Sequence, residues 1–382
     1  MRTLYLDNAA TSWPKPSGVP AAVRRELVHG GGNPGRSGHR KSIEAGRVVL
    51  ACRERLAALF GVSDPSHIVF TKNATEALNI VIAGIMGSGG HVVTTGMEHN
   101  SVLRPLRALE TAGVVVEEAA ADAGGRVDAS DVARRITAGT RLVIVTHASN
   151  VTGAINDIAA IGAACRARGV PFLVDAAQTA GCVPIDVAHL PVDYLAFSGH
   201  KGLLGPQGTG GLYVGDVARL PPLLRGGTGS LSDREEQPDF LPDRYESGTL
   251  NVPGLAGLAE GVQYLLRRGV DSVQEHDRRL RAVFLDAASG DARVKVLQSG
   301  VLPEHTGVAS VIIEGRSPSA VGEALERRFG ILTRIGLHCA PRAHRAVGTF
   351  PEGTVRLSWG PFTSERDMAR AGRAIAAIAG GR

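Results

Sequence analysis

The sequence holds only four cysteines, Cys52, Cys165, Cys182 and Cys339, widely spaced and with no Cys-x-x-Cys pair. That excludes a disulfide framework and a zinc site of the ribbon kind. It fits reduced thiols, so a cytoplasmic location is expected. Long apolar runs are also missing, and none reaches the roughly 18 residues of a membrane span. The first residues, Met1-Arg2-Thr3-Leu4-Tyr5-Leu6-Asp7, meet an acid too early for a secretory signal. Charge of one sign is lacking as well: 42 Lys and Arg stand against 37 Asp and Glu, net +5, with no basic run. Nucleic acid is therefore not an expected partner. No Gly-x-Gly-x-x-Gly follows an early strand, which argues against a dinucleotide-dependent redox enzyme. Repeats and low-complexity tails are absent.

What is present is a chain of 382 residues, 43% hydrophobic, enough for one large and one small domain. The large domain is expected over residues 14–255. An N-terminal arm, 1–13, is expected to join a small domain at 256–382. Apolar strands alternate with helical patterns: strands at 67–71, 91–95, 114–118, 142–146, 171–175, 192–195 and 210–214, helices at 42–60, 73–80, 102–112, 127–136 and 155–168. A helical stretch is also expected after Gln178. Strands this rich in Val, Ile and Leu predict an α/β fold with a mostly parallel sheet covered on both faces. The five-glycine segment Gly30–Gly38, with Asn33, Pro34 and Arg36, and the segment Arg225–Asp243 read as loops. The small domain is expected to hold helices near 252–268, 272–289, 318–329 and 364–379, and strands near 294–297, 309–313 and 354–358.

Ligands of such sheets bind beyond the carboxyl ends of the strands. That rule selects Thr71 to Thr75, His99, Asn150, Asp175 and Lys201, each polar and each at or just past an apolar run. The stretch Ala196-Phe197-Ser198-Gly199-His200-Lys201-Gly202 carries a lysine on a small-residue turn at a strand end. A surface loop explains one such lysine equally well. A desolvated lysine has a lowered pKa and can join an aldehyde. Asp175 precedes it by one strand unit. An amine for an aldehyde and an acid for a ring nitrogen are what pyridoxal 5′-phosphate (PLP) demands. The capped helix start at Ala74 and Thr75 can hold a phosphate. His99 can lie over a ring, and Asn150 or Gln178 can bond its 3′-oxygen. Singly, Asp175 can be a helix cap, His99 a loop histidine and Asn150 a turn residue; their convergence favours the cofactor.

The segments Thr71–Ala77, Glu98–Ser101, Thr146–Gly153, Asp175–Gln178 and Ser198–Lys201 together resemble the class V aminotransferase-like PLP enzymes, over about Leu4 to Phe362. Within that superfamily the chain resembles cysteine desulfurases. Arg334-Ile335-Gly336-Leu337-His338-Cys339-Ala340-Pro341 resembles the compact cysteine loop of the group II enzymes, which include selenocysteine lyases. The resemblance implies fold type I, with a large domain around a seven-stranded-type sheet and a smaller α+β domain. It implies a homodimer with interfacial sites, and a phosphate held by Thr75, Ser198 and His200. Ser247-Gly248-Thr249 resembles the segment that reaches the phosphate from the neighbouring subunit. Arg356, in Val355–Ser358, resembles the arginine that clamps the substrate carboxylate, and the arm residues Asn8 and Ala9 are expected beside it.

The implied reaction converts L-cysteine to L-alanine. Lys201 moves the α-proton, and Cys339 takes the sulfur as a persulfide, with His99 or the phosphate helping to lower the thiol pKa. A sulfur-acceptor protein is a possible partner. The same scaffold also supports C–S lyase, selenocysteine lyase, aminotransferase or epimerase reactions on related amino acids, and a non-catalytic scaffold is the remaining alternative. Arg342, His344 and Arg345 crowd positive charge after Cys339, which favours an anionic substrate or caps a helix. Cys52, Cys165 and Cys182 are expected to be structural.

Overall fold

A computed structural model describes residues 3–35, 37–217, 220–298 and 305–381. Arg36 of the glycine loop lies outside the described residues. In chain order the elements begin with β1 (Leu4–Tyr5), α1 (Gly18–His29), α2 (Arg40–Phe60), β2 (Ile68–Thr71), α3 (Ala74–Met86), β3 (Gly90–Thr95) and α4 (Asn100–Glu110). Next come β4 (Val114–Ala119), α5 (Ala129–Arg135), β5 (Thr140–Thr146), α6 (Ile158–Arg166), β6 (Phe172–Asp175), β7 (Tyr194–Ser198) and β8 (Gly210–Val214). The remainder is α7 (Val252–Arg268), α8 (Val270–Ala288), β9 (Val294–Val296), β10 (Val308–Ile313), α9 (Pro318–Phe329), β11 (Ile331–Leu332), β12 (Arg334–Gly336), α10 (Pro341–Ala346), β13 (Thr354–Ser358) and α11 (Glu365–Ala379).

Seven strands form one sheet in the order β2-β8-β7-β6-β5-β3-β4. The five from β7 to β4 run parallel, and β8 runs antiparallel to both of its neighbours. Alternation along β5 shows why Leu142 to Val145 are all apolar. Val143 and Val145 face a core with Leu56 of α2, Ile161 of α6 and Leu258 of α7. Leu142 and Ile144 face the opposite core, with Leu78 and Ile82 of α3 and Leu106 of α4. A strand buried on both faces has no position for a polar residue until its end.

A second sheet, β12-β13-β10-β9, is antiparallel. Its apolar face packs with Leu280 and Phe284 of α8, Leu325 of α9 and Ile375 of α11. β1 pairs in parallel with β11, Leu4 opposite Ile331, which brings the first residues onto this second core.

Several expectations are corrected. No helix follows Gln178; residues 177–182 form turns. Gly181 there has φ +84°, and a Cβ on it would meet the Gly202 carbonyl at 2.6 Å, so the segment folds tightly under the Lys201 turn. β7 runs through Phe197 to Ser198, beyond the expected end at Leu195. α6 starts at Ile158 rather than Ile155, because Asp157 caps it by accepting from the Ala160 N–H at 2.9 Å. α1 gave no readable pattern since it buries only Val19 and Ala22.

Candidate active site

The carboxyl ends of β5, β6 and β7 and the turn after β2 open onto one cleft of about 200 Å³. Its lining includes Ala74, Thr75, His99, Asn150, Asp175, Gln178, Ser198, His200 and Lys201. These residues span more than a hundred positions of sequence. The parallel sheet brings them together by ending each strand at the same level.

β6 and β7 are neighbours, with Asp175 opposite Ala196. Asp175 therefore closes its strand next to the turn that carries Lys201. Its carboxylate accepts the Ala177 N–H at 2.9 Å, and burial pushes its pKa up against that bond and the Lys201 charge. Burial lowers the Lys201 ammonium to about 8; Asp175 opposes that fall, while Arg356 and Arg334 add to it.

The opposite end of the cleft is built on the start of α3. Asn73 caps the helix by accepting the Glu76 N–H at 3.0 Å. Ser198 Oγ accepts the Ala74 N–H at 3.2 Å, and the Thr75 and Ser101 hydroxyls lie 2.8 Å apart. The Nδ1 atom of His200 is buried without a partner, and burial, then the Lys201 and Lys15 charges, lowers this ring to about 4. Hydroxyls, a helix start and an unsatisfied imidazole form an anion cradle. β8 passes close beneath it: a Cβ on Gly210 would come within 2.6 Å of Asn73 Cα.

His99 caps α4, its Nδ1 accepting from the Ser101 N–H at 3.1 Å. Burial and then the charges of Lys201, Arg334, Arg104 and Arg356 hold its pKa near about 4, so the ring is neutral.

Arg356 is 1% exposed. Its Nη2 donates to Asp7 Oδ1 at 2.8 Å and its Nη1 to the Asn150 carbonyl at 3.1 Å, while Nε has no partner. Asn150 and Gln178 both have amide bonds already made: Asn150 Nδ2 donates to the His338 carbonyl at 2.7 Å and Gln178 Nε2 to the Ala9 carbonyl at 3.1 Å. Asn8 and Ala9 line an adjoining cavity that shares Gln178 and Lys201 with the cleft. They are pinned to β13, Asn8 Nδ2 to the Ser358 carbonyl at 3.2 Å and the Ala9 N–H to Ser358 Oγ at 2.9 Å.

Cys339 is exposed and sits in the short turn between β12 and α10. Arg334 Nη2 approaches its Sγ at 3.5 Å, and its carbonyl accepts the Asn100 N–H at 2.8 Å. Cys52 and Cys165 are buried, and burial pushes both thiols up to about 12; burial also raises the half-buried Cys182. Thr249 is not in the cleft of its own chain. It is exposed and lines a separate cavity with Lys72 and Glu76.

The positive charge expected after Cys339 is dispersed. Arg342 pairs with Glu118, and Arg345 lies over the Phe350 ring at 4.2 Å. His344 is buried, its Nδ1 2.6 Å from Thr349 Oγ1, and burial lowers it to about 4. The cation beside the thiol is instead Arg334, which sequence reasoning passed over although it opens the cysteine segment. Asp7 and Lys15 were also passed over. Lys15 Nζ donates to Ser12 Oγ at 2.7 Å and the His200 carbonyl at 3.1 Å, contacts with no local sequence pattern.

A family model described as aminotransferase class-V matches residues 4–370. A probable cysteine desulfurase of Methanothermobacter thermautotrophicus is 35% identical, covering 99% of this chain and 95% of that protein. The cysteine desulfurase IscS of Vibrio campbellii is 34% identical, covering 96% and 90%. Among solved structures, the apo cysteine desulfurase from Thermococcus onnurineus NA1 superposes with a TM-score of 0.91 at 32% identity, covering 100% of this chain and 95% of that one.

Proposed function

The chain belongs to the class V aminotransferase family, and on that premise we propose that it is a PLP-dependent cysteine desulfurase releasing L-alanine and passing sulfur to Cys339. The observation that carries the reading is a lysine and an acid at adjacent parallel strand ends, in one cleft with an anion cradle. The donor set fits the cofactor. The unpartnered His200 Nδ1, with Thr75, Ser198 and the α3 start, suits a phosphate. Asp175, whose burial makes an unpaired carboxylate costly, suits a protonated ring nitrogen. Asn150 or Gln178 suits the ring oxygen with its second amide N–H.

When bound, PLP supplies an electron sink for the bonding pair released at the substrate α-carbon. The protein does the rest. Arg356, held by Asp7 and the Asn150 carbonyl, presents a fixed guanidinium to the substrate carboxylate. Lys201, with its pKa lowered to about 8, is a base that can take the α-proton near neutral pH. Cys339 Sγ attacks the substrate sulfur. An S–S bond forms as the C–S bond breaks, and the three-carbon remainder takes a proton to leave as alanine. Arg334 places positive charge beside the sulfur that becomes anionic.

The homodimer reading is supported by Thr249, which is exposed and away from its own cleft. A second, smaller domain is supported by the third core, which draws on Leu4, Leu6 and residues from Leu280 onward, while α7, expected beyond the boundary at 255, packs on the large sheet through Leu258 and Leu265. A cytoplasmic location is supported by four free cysteines. A discharged persulfide needs an acceptor, and the exposure of Cys339 suits a protein partner.

The test is the visible absorption of purified protein before and after L-cysteine, with alanine and sulfide assayed under a reductant, for wild type and Cys339→Ala. Wild type should be yellow and form alanine. Cys339→Ala should stay yellow and lose alanine formation by about a hundredfold or more. A colourless wild type that takes up no PLP sinks the cofactor reading. Undiminished alanine from Cys339→Ala means that the sulfur passes directly to the reductant thiol and Cys339 is not the acceptor, whereas pyruvate in place of alanine means direct C–S lysis.

A further inference from the structure

Cys339 does not sit in ordinary backbone. It and His338 have φ of +58° and +49°, two consecutive non-glycine residues in the left-handed region. Each is strained for a residue with a Cβ and persists only where surrounding bonds hold it. Those bonds are few and can be named. The His338 carbonyl accepts Asn150 Nδ2 at 2.7 Å, and the Cys339 carbonyl accepts the Asn100 N–H at 2.8 Å. His338 Nε2 lies 3.0 Å from Thr354 Oγ1, and the Ala340 N–H bonds the Leu337 carbonyl at 2.9 Å. Among these, only Asn150 also belongs to the cleft. Its side chain is in the lining, and its own carbonyl accepts Arg356 Nη1 at 3.1 Å.

We propose that Asn150 is a positioning residue for the nucleophile. Its amide holds the Cys339 turn in its left-handed form while its carbonyl holds the substrate arginine, so sulfur acceptor and carboxylate clamp share one anchor. This deepens the desulfurase reading and rests on it. The chemistry is that of a primary amide with two N–H donors. One is committed to the His338 carbonyl, and the other is free to meet the cofactor oxygen, so both tasks fit one side chain. The residue is 7% exposed, so removing its amide leaves the His338 carbonyl without a partner rather than hydrated.

The test is hydrogen exchange over residues 334–341 in purified Asn150→Ala and Asn150→Asp, beside their absorption spectra and steady-state kinetics. Asn150→Asp keeps the size and removes the donors, and stands in if the alanine variant does not fold. In both, the Ala340 amide should exchange about tenfold or more faster than in wild type, and kcat for alanine formation should fall at least tenfold. The L-cysteine concentration that half-saturates the spectral change should move less than threefold. Wild-type exchange in this segment overturns the proposal, whatever happens to activity. Loss of cysteine binding with unchanged exchange likewise overturns it, assigning Asn150 to the clamp alone. A wild type that makes no alanine from cysteine refutes the desulfurase reading, and the exchange comparison still reports on the turn.

Discussion

Lys201 is where the sign of a pKa shift becomes a rate. An ordinary lysine titrates near about 10.4, so its free-amine fraction still rises at pH 10. In the cleft the value falls to about 8, chiefly through burial. A lowered pKa favours the neutral, nucleophilic form. Capture of PLP by cofactor-free protein, followed by borohydride trapping, should therefore rise with pH up to about 8 and flatten above it. Asp175 is the larger of two groups, with Cys339, that hold the ammonium up, so Asp175→Asn should move the inflection lower still. An inflection at 10 or higher would mean that Lys201 is solvated. The motif showed this residue, since a lysine on Ser-Gly-His-Lys after a strand is legible. Its partners Arg356 and Arg334 lie more than a hundred residues away, and no local pattern points from one to the other.

At the scale of elements, one buried ion pair ties two of them, α2 and β2, to the loop before α7. Arg53 of α2 bonds Glu246 through two nitrogens, at 2.8 and 2.9 Å, and lies over the Phe70 ring of β2. Glu246 also accepts the Phe70 N–H at 2.6 Å and immediately precedes Ser247-Gly248-Thr249. Taking away one partner strands the other charge in the interior. Arg53→Ala should cost about 3–5 kcal/mol of stability, read from the denaturant midpoint. A loss below about 1 kcal/mol would show that water reaches Glu246. Strand and helix types in this half were readable because every central strand is buried on two faces and so is apolar without interruption. The turns at 177–182 read as helix because Ala176, Ala177, Gln178 and Ala180 are good helix formers; the Gly181 contact with Gly202 reveals the constraint. Arg53 and Glu246 were unreadable for the opposite reason, since a charge inside a helix pattern or in a polar loop looks like solvent face.

For the whole molecule, buried titratable groups of both kinds set a pH optimum for stability. His99, His147, His200, His305 and His344 are held at about 3 or 4, and His338 at about 2, first of all by burial. Below about pH 6.5 the unfolded chain binds protons that these rings refuse, so stability rises with pH up to that point. Glu98 and Asp277 are pushed up to about 8 by burial. From about 6.5 to 8 the native state holds two protons that the unfolded chain has lost, so stability falls. Lys15 and Lys201, both near about 8, then end the decline, because above that pH the unfolded chain keeps protons that the native state lacks. The melting temperature of cofactor-free protein should therefore peak near pH 6.5, and Glu98→Gln should flatten the alkaline limb. A monotonic rise from pH 5 to 8 would contradict the burial of the two acids.

The pairing of Leu4 with Ile331, and of Asp7 with Arg356, has a further consequence. While the chain is being made, the first dozen residues emerge long before the strand they will join exists. The Lys201 cleft can fold around its sheet in that interval, but the clamp cannot. A growing chain thus holds the Lys201 cleft well before Arg356 can meet Asp7, and the proposed clamp is the later of the two to form.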